Sequence, residues 1–106
     1  VTGDVDYTNE CVPSSTWPQG TPVASRAAQA VVGHSDVDAN VAPMMISEDV
    51  GAVLAAVPGA CVFIGNGATG AAGGVPLHNA QYDFNDAVLP IGGRYFAEIV
   101  RQRLAV

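Results

Sequence analysis

His78 has the widest chemical reach of any residue in this chain, because it ends a glycine-rich stretch and opens an acidic, aromatic one. It lies in LHNAQYDFND, residues 77–86, directly after GNGATGAAGGVP, residues 65–76. A neutral imidazole is a common metal ligand, and a second acceptor often orients its other ring nitrogen. The loop before it carries almost no side chain to pack, so its backbone can approach another group closely or move. The competing reading is a polar loop histidine that only hydrogen-bonds nearby carboxylates. One histidine does not make a metal site, since a catalytic zinc generally takes three protein ligands and a water. Asp83 and Asp86 are within reach in sequence, although Asp86 is better explained as a helix cap or first-turn acid. The second histidine, His34, sits in the surface-like turn GHSD and reads as structural or solvated.

The elements that must position His78 follow from periodicity. Residues 4–7 alternate polar and apolar as a half-buried strand does, and CVPSSTWPQGTP after them is broken by prolines and a glycine. An alanine-rich helix is predicted over 22–32, with Pro22 in its first turn and Gly33 as its stop. VDANVAPMM, residues 37–45, alternates again and predicts a short strand. In SEDVGAVLAAV, Ser47 can cap a second helix, and Glu48 and Asp49 favour the positive end of its dipole. Val50, Val53, Leu54 and Val57 would form its apolar face. CVFIG, residues 61–65, is a continuous apolar run of the kind found in strands covered on both faces. A terminal helix follows, capped by Asn85 or Asp86, with Pro90 near its first turn and Leu89, Phe96, Ile99 and Val100 on one face. Arg101 and Arg103 suit its negative end. This succession predicts a layered α/β sheet. Ligands of open sheets bind beyond the carboxyl ends of the strands, and the 61–65 strand would deliver its own into the glycine loop.

Composition narrows the function classes. The chain has 106 residues, a formal net charge of −6, no lysine and four arginines, which disfavours binding to a phosphate backbone. Neither a GxGxxG fingerprint opening a helix nor a GKS or GKT triplet is present, so the glycine loop does not read as a nucleotide cradle. No apolar run reaches the roughly 20 residues that a membrane span needs, and a soluble, cytoplasmic protein is the expectation. At 49% hydrophobic and 13% charged, the chain is apolar for a domain of its length, so some apolar surface is expected to meet a partner or another segment. Cys11 and Cys61 have no paired spacing for zinc or redox work and read as small buried thiols, with a disulfide left open.

Three motifs in order carry a resemblance: PMMISEDV, then VPGACVFIGNG, then LHNAQYDFNDAVLPIGGRYF. Together they resemble the C-terminal part of the dinuclear-metal amidohydrolases, which include hippurate hydrolases, N-acyl-amino-acid amidohydrolases and auxin-conjugate hydrolases. These belong to a larger metallopeptidase family with aminoacylases and glutamate carboxypeptidases. The resemblance covers most of the chain from residue 43 onward and is weaker back to residue 4. It implies the closing part of a layered α/β, zinc-exopeptidase-like catalytic domain, over residues 13–106. Residues 1–12 would be the last strand of an inserted lid or dimerisation domain.

The same resemblance implies that His78 is a metal ligand and that Ser47 and Glu48 lie near the substrate. It implies two divalent ions in the full-length enzyme, with zinc, manganese, cobalt and nickel not distinguished, and a homo-oligomer. The substrate would be an N-acyl amino acid or a related amide. The ions would polarise the amide carbonyl and activate water while a glutamate moved the proton. That glutamate and the other ligands come from the family's N-terminal part, and no HxD or CxH pair occurs here. The resemblance therefore assigns no catalytic residue to this chain, and activity is not expected from it alone. Ile46 stands where the family usually has glycine, and Val50 where it has phenylalanine. A β-branched residue at a turn that requires positive φ opposes a direct backbone contact there. SSTWP also departs from the family's asparagine-containing pattern. A non-enzymatic α/β binding or interaction module is the competing reading, motivated by the missing ligands and the apolar composition.

Overall fold

The computed structural model describes residues 2–8, 11–46, 48–71 and 73–104. Three α-helices form: α1 over Gly20–Val32, α2 over Val50–Ala56 and α3 over Leu89–Leu104. A 3-10 turn at His34–Asp36 follows α1, and another at Asp86–Val88 leads into α3.

Helix α1 meets its prediction closely. Pro22 lies in the first turn, where its missing N–H costs nothing, and Gly33 ends the helix at φ 94, donating its N–H to Gln29 O at 2.9 Å. Ala24 and Ala27 are its buried residues, and such small side chains let another helix come close. That helix is α3. The side of α3 carrying Ile91, Tyr95, Glu98, Ile99 and Gln102 is half-buried, and Arg94 Nη2 donates to Val31 O at 3.2 Å, tying α3 to the last turn of α1. The predicted face of α3 is corrected here, because Leu89, Phe96 and Val100 are exposed. Of the two residues predicted to cap the terminal helix, Asn85 instead caps the 3-10 turn ahead of it: its side chain accepts from Ala87 N.

Helix α2 is held by the chain before α1. Trp17 N donates to Gly59 O at 2.9 Å, Trp17 Nε1 donates to Leu54 O at 3.1 Å, and Cys61 N donates to Thr16 Oγ at 3.3 Å. Gly51 and Leu54 are buried, whereas Val53 and Val57 of the predicted apolar face are exposed. A Cβ on Gly51 would meet Val12 O, so the absence of a side chain lets residues 12–13 cross α2 there. The N-cap is Asp49, with no side-chain cap hydrogen bond, and the predicted cap Ser47 lies outside the described residues.

The layered α/β, zinc-exopeptidase-like sheet is not what forms. No strand occurs among the described residues, including the predicted strands at 4–7, 37–45 and 61–65. A strand needs a second backbone to pair its N–H and C=O groups, and these segments find none. Val5 is 91% exposed, Met45 102% and Phe63 59%. The buried apolar residues among those described are Ala24, Ala27, Leu54 and Val88. The accessible surface is 8664 Å², against about 5,500 Å² expected of a folded monomer of this mass. The radius of gyration is 17.5 Å, against about 13 Å for a compact domain of this length. Apolar surface is left exposed, with Val62, Phe63, Ile64 and Met45 all facing solvent. No described helix is long and apolar enough to cross a membrane.

Candidate functional site

The His78 loop is built almost entirely from hydrogen bonds. Asn66, between Gly65 and Gly67, donates from Nδ2 to Gly73 O and to Asp83 O, each at 3.0 Å, and its Oδ1 accepts from Asn85 N at 2.9 Å. These three bonds join the start of the glycine loop to residues on both sides of His78. Within the loop, Ala71 N donates to Ala68 O and Gly74 N to Ala71 O, so the chain folds through successive tight turns. Gly73 has φ 72, and a Cβ there would meet Asn66 O. Here the glycine is required twice, by its left-handed backbone and by the closeness of Asn66.

Beyond His78, Asn79 Oδ1 accepts from Gln81 N at 2.8 Å and Asn79 O accepts from Tyr82 N at 2.9 Å, an asparagine-led turn. His78 itself has φ 66, the one positive φ of a non-glycine residue among those described. A left-handed backbone costs an L-residue on the order of 1–2 kcal/mol. Such a conformation persists where its surroundings over-determine it, and these positions cluster at functional sites. The side chain is exposed, and no described residue hydrogen-bonds its ring.

The other predicted site residues lie elsewhere. Glu48 is exposed and lines an open cleft of about 1090 Å³ together with Val12, Met44, Ile46, Val50 and Phe63, whereas His78 does not line it. Ser47 lies outside the described residues. Asp83 is exposed and enters the loop through its backbone carbonyl, and Asp86 is a first-turn acid. His34 is exposed in its 3-10 turn, as read from sequence. Cys11 and Cys61 are free thiols. Cys11 is exposed and Cys61 half-buried, which corrects the reading of both as buried.

Among the described residues no group of three or more His, Cys, Asp or Glu could hold a metal ion. The fit to a metal is therefore one donor deep among the described residues: an exposed imidazole that none of them hydrogen-bonds, on a backbone fixed from both sides. Asn66 went unread in the sequence. Its signal was there: an amide placed among glycines is the one side chain in GNG able to bond anything.

Comparison with known proteins decides the family. The model of peptidase family M20/M25/M40 matches residues 3–102. The chain belongs to this family. Membership agrees with the metallopeptidase resemblance and places the chain among metal-dependent hydrolases. No curated protein and no solved structure matched the chain.

Proposed function

We propose that this M20/M25/M40 chain supplies His78 as one ligand to a divalent-metal centre that hydrolyses the amide bond of N-acyl amino acids or related peptides. The observation that carries the reading is the left-handed backbone of His78, held within a hydrogen-bonded loop in a chain of a peptidase family. A metal ion bound there supplies Lewis acidity toward the amide carbonyl and lowers the pKa of bound water. His78 offers a neutral nitrogen and fixes one coordination position, and no cluster of further donors surrounds it among the described residues. Glu48 belongs to the substrate side of the reading, with Ser47 beside it in sequence. The cleft that Glu48 borders is lined by Val12, Met44, Ile46 and Phe63, an apolar surface suited to an acyl group.

The test is metal content and turnover of the full polypeptide with His78→Ala, beside His34→Ala as a control. Loss of bound metal and of hydrolysis across a panel of N-acyl amino acids is expected for His78→Ala alone. Unchanged metal content and turnover would remove the reading and favour a non-enzymatic binding role.

A further inference from the structure

We propose that Asn66 is the positioning residue of the His78 loop, the side chain that sets where the imidazole is presented. The inference rests on the reading of His78 as a metal ligand. It adds a residue that acts on the site only through another.

An asparagine amide offers two N–H donors and one carbonyl acceptor. Here all of these are used, and each leads to a different part of the loop. Nδ2 donates to Gly73 O, ahead of His78, and to Asp83 O, beyond it. Oδ1 accepts from Asn85 N, the residue that caps the turn leading into α3. Two carbonyls on one side of the amide and an N–H on the other leave it a single orientation. Both ends of the segment carrying His78 are thereby tied to one half-buried side chain, and through Asn85 to the start of the 3-10 turn before α3.

That arrangement accounts for the φ of 66 at His78. Freed from its ends, the residue would fall to negative φ, where an L-residue rests, and the imidazole would leave its position. Other side chains cannot replace the clamp. Aspartate keeps the acceptor for Asn85 N and turns the other oxygen on two carbonyls. Alanine makes none of the three bonds.

The experiment compares wild type, Asn66→Asp, Asn66→Ala and His78→Ala in the full polypeptide. Two readouts are used: backbone scalar couplings that report φ at His78 in the metal-free protein, and titration with Co²⁺ followed by its visible absorption. Both Asn66 variants are expected to move the His78 coupling out of the left-handed range. They should also weaken Co²⁺ binding about 10–100-fold, as loss of a group that orients a ligand does, and change the shape of the Co²⁺ spectrum. A merely structural role would lower stability without altering the spectrum of the bound ion. If His78→Ala abolishes Co²⁺ binding while the Asn66 variants leave affinity, spectrum and coupling unchanged, the positioning role is overturned and the ligand reading stands. If His78→Ala itself leaves Co²⁺ binding unchanged, the ligand reading fails and this inference with it.

Discussion

The loop from residue 66 to 85 and the apolar segment from residue 61 to 64 are neighbours in sequence and opposites in how they are made. The loop is polar and glycine-rich, and Asn66, Asn79 and Asn85 satisfy its backbone from within a few turns of chain. The apolar segment has almost no such means. Thr16 Oγ accepts from Cys61 N, but Val62, Phe63 and Ile64 stand about half exposed. A loop whose partners are close in sequence forms wherever its chain goes, because its closure entropy is small. A strand is defined by another backbone, and without one its hydrophobicity only raises the apolar surface left in water.

The change that should break the loop most severely is Gly73→Ala. The new Cβ would meet Asn66 O at a backbone of φ 72, and a local cost of about 2–3 kcal/mol is expected. Hydrogen exchange at the Asn85 amide, which Asn66 Oδ1 accepts, measures it. Exchange as slow as in wild type would show that the loop does not depend on this contact. His78→Gly should act in the opposite direction. It relieves the one left-handed non-glycine among the described residues and should stabilise the loop by about 1 kcal/mol, while removing the imidazole. A loop that gains stability as it loses the proposed ligand would mark the strain at His78 as kept for function. A loss of stability would mean that the imidazole packs in a way its exposure conceals.

The same contrast explains what the sequence disclosed. Helix α1 was legible because its signals are local: Pro22 in the first turn, alanines along one side and Gly33 at the end. The capping capacity of Asn85 was legible for the same reason, although it serves the 3-10 turn before α3 rather than α3 itself. The faces of α2 and α3 were not. Which side is buried depends on what packs there, and Trp17 crosses to Leu54 while α3 turns Tyr95 and Ile99 inward, leaving Val53 and Phe96 outside. The predicted strands failed for a stronger form of that reason, since alternation at 4–7 and an apolar run at 61–65 state a preference that no partner backbone meets among the described residues. His78 was legible as a residue type in a telling place, whereas its left-handed backbone and the hydrogen bonds of Asn66 depend on how distant parts of the loop meet.

On the apolar side of the comparison, Phe63→Ser should cost this chain little. Phe63 is already 59% exposed, and substitutions at such positions usually fall within about 0.5 kcal/mol. Its effect should appear between molecules. Wild type is expected to self-associate through this surface as concentration rises, and the serine variant less so, as read by light scattering. A clean wild-type monomer at high concentration would show that the exposed apolar residues are not a contact surface.

The smallest expected effect lies in α3, where charge rather than strain or burial is at issue. Glu98 accepts from Arg101 Nε at 2.8 Å, from Arg101 Nη2 at 2.7 Å and from Gln102 Nε2 at 2.8 Å. These hydrogen bonds, Arg101 first, lower its pKa to about 2. The folded carboxylate therefore takes up a proton less readily than the unfolded one. Its contribution is complete above the usual glutamate range near about 4.3 and is lost as pH falls toward about 2. Glu98→Gln should leave helicity nearly unchanged at the acid end of that window and lower it slightly above, a difference that salt should shrink because the pair is at the surface. Far-ultraviolet circular dichroism across the window reads it. The Asn66 clamp joins only neutral groups and should pass through the same window unaltered, so exchange at the Asn85 amide that tracked the titration of Glu98 would mean that loop and helix are not independent.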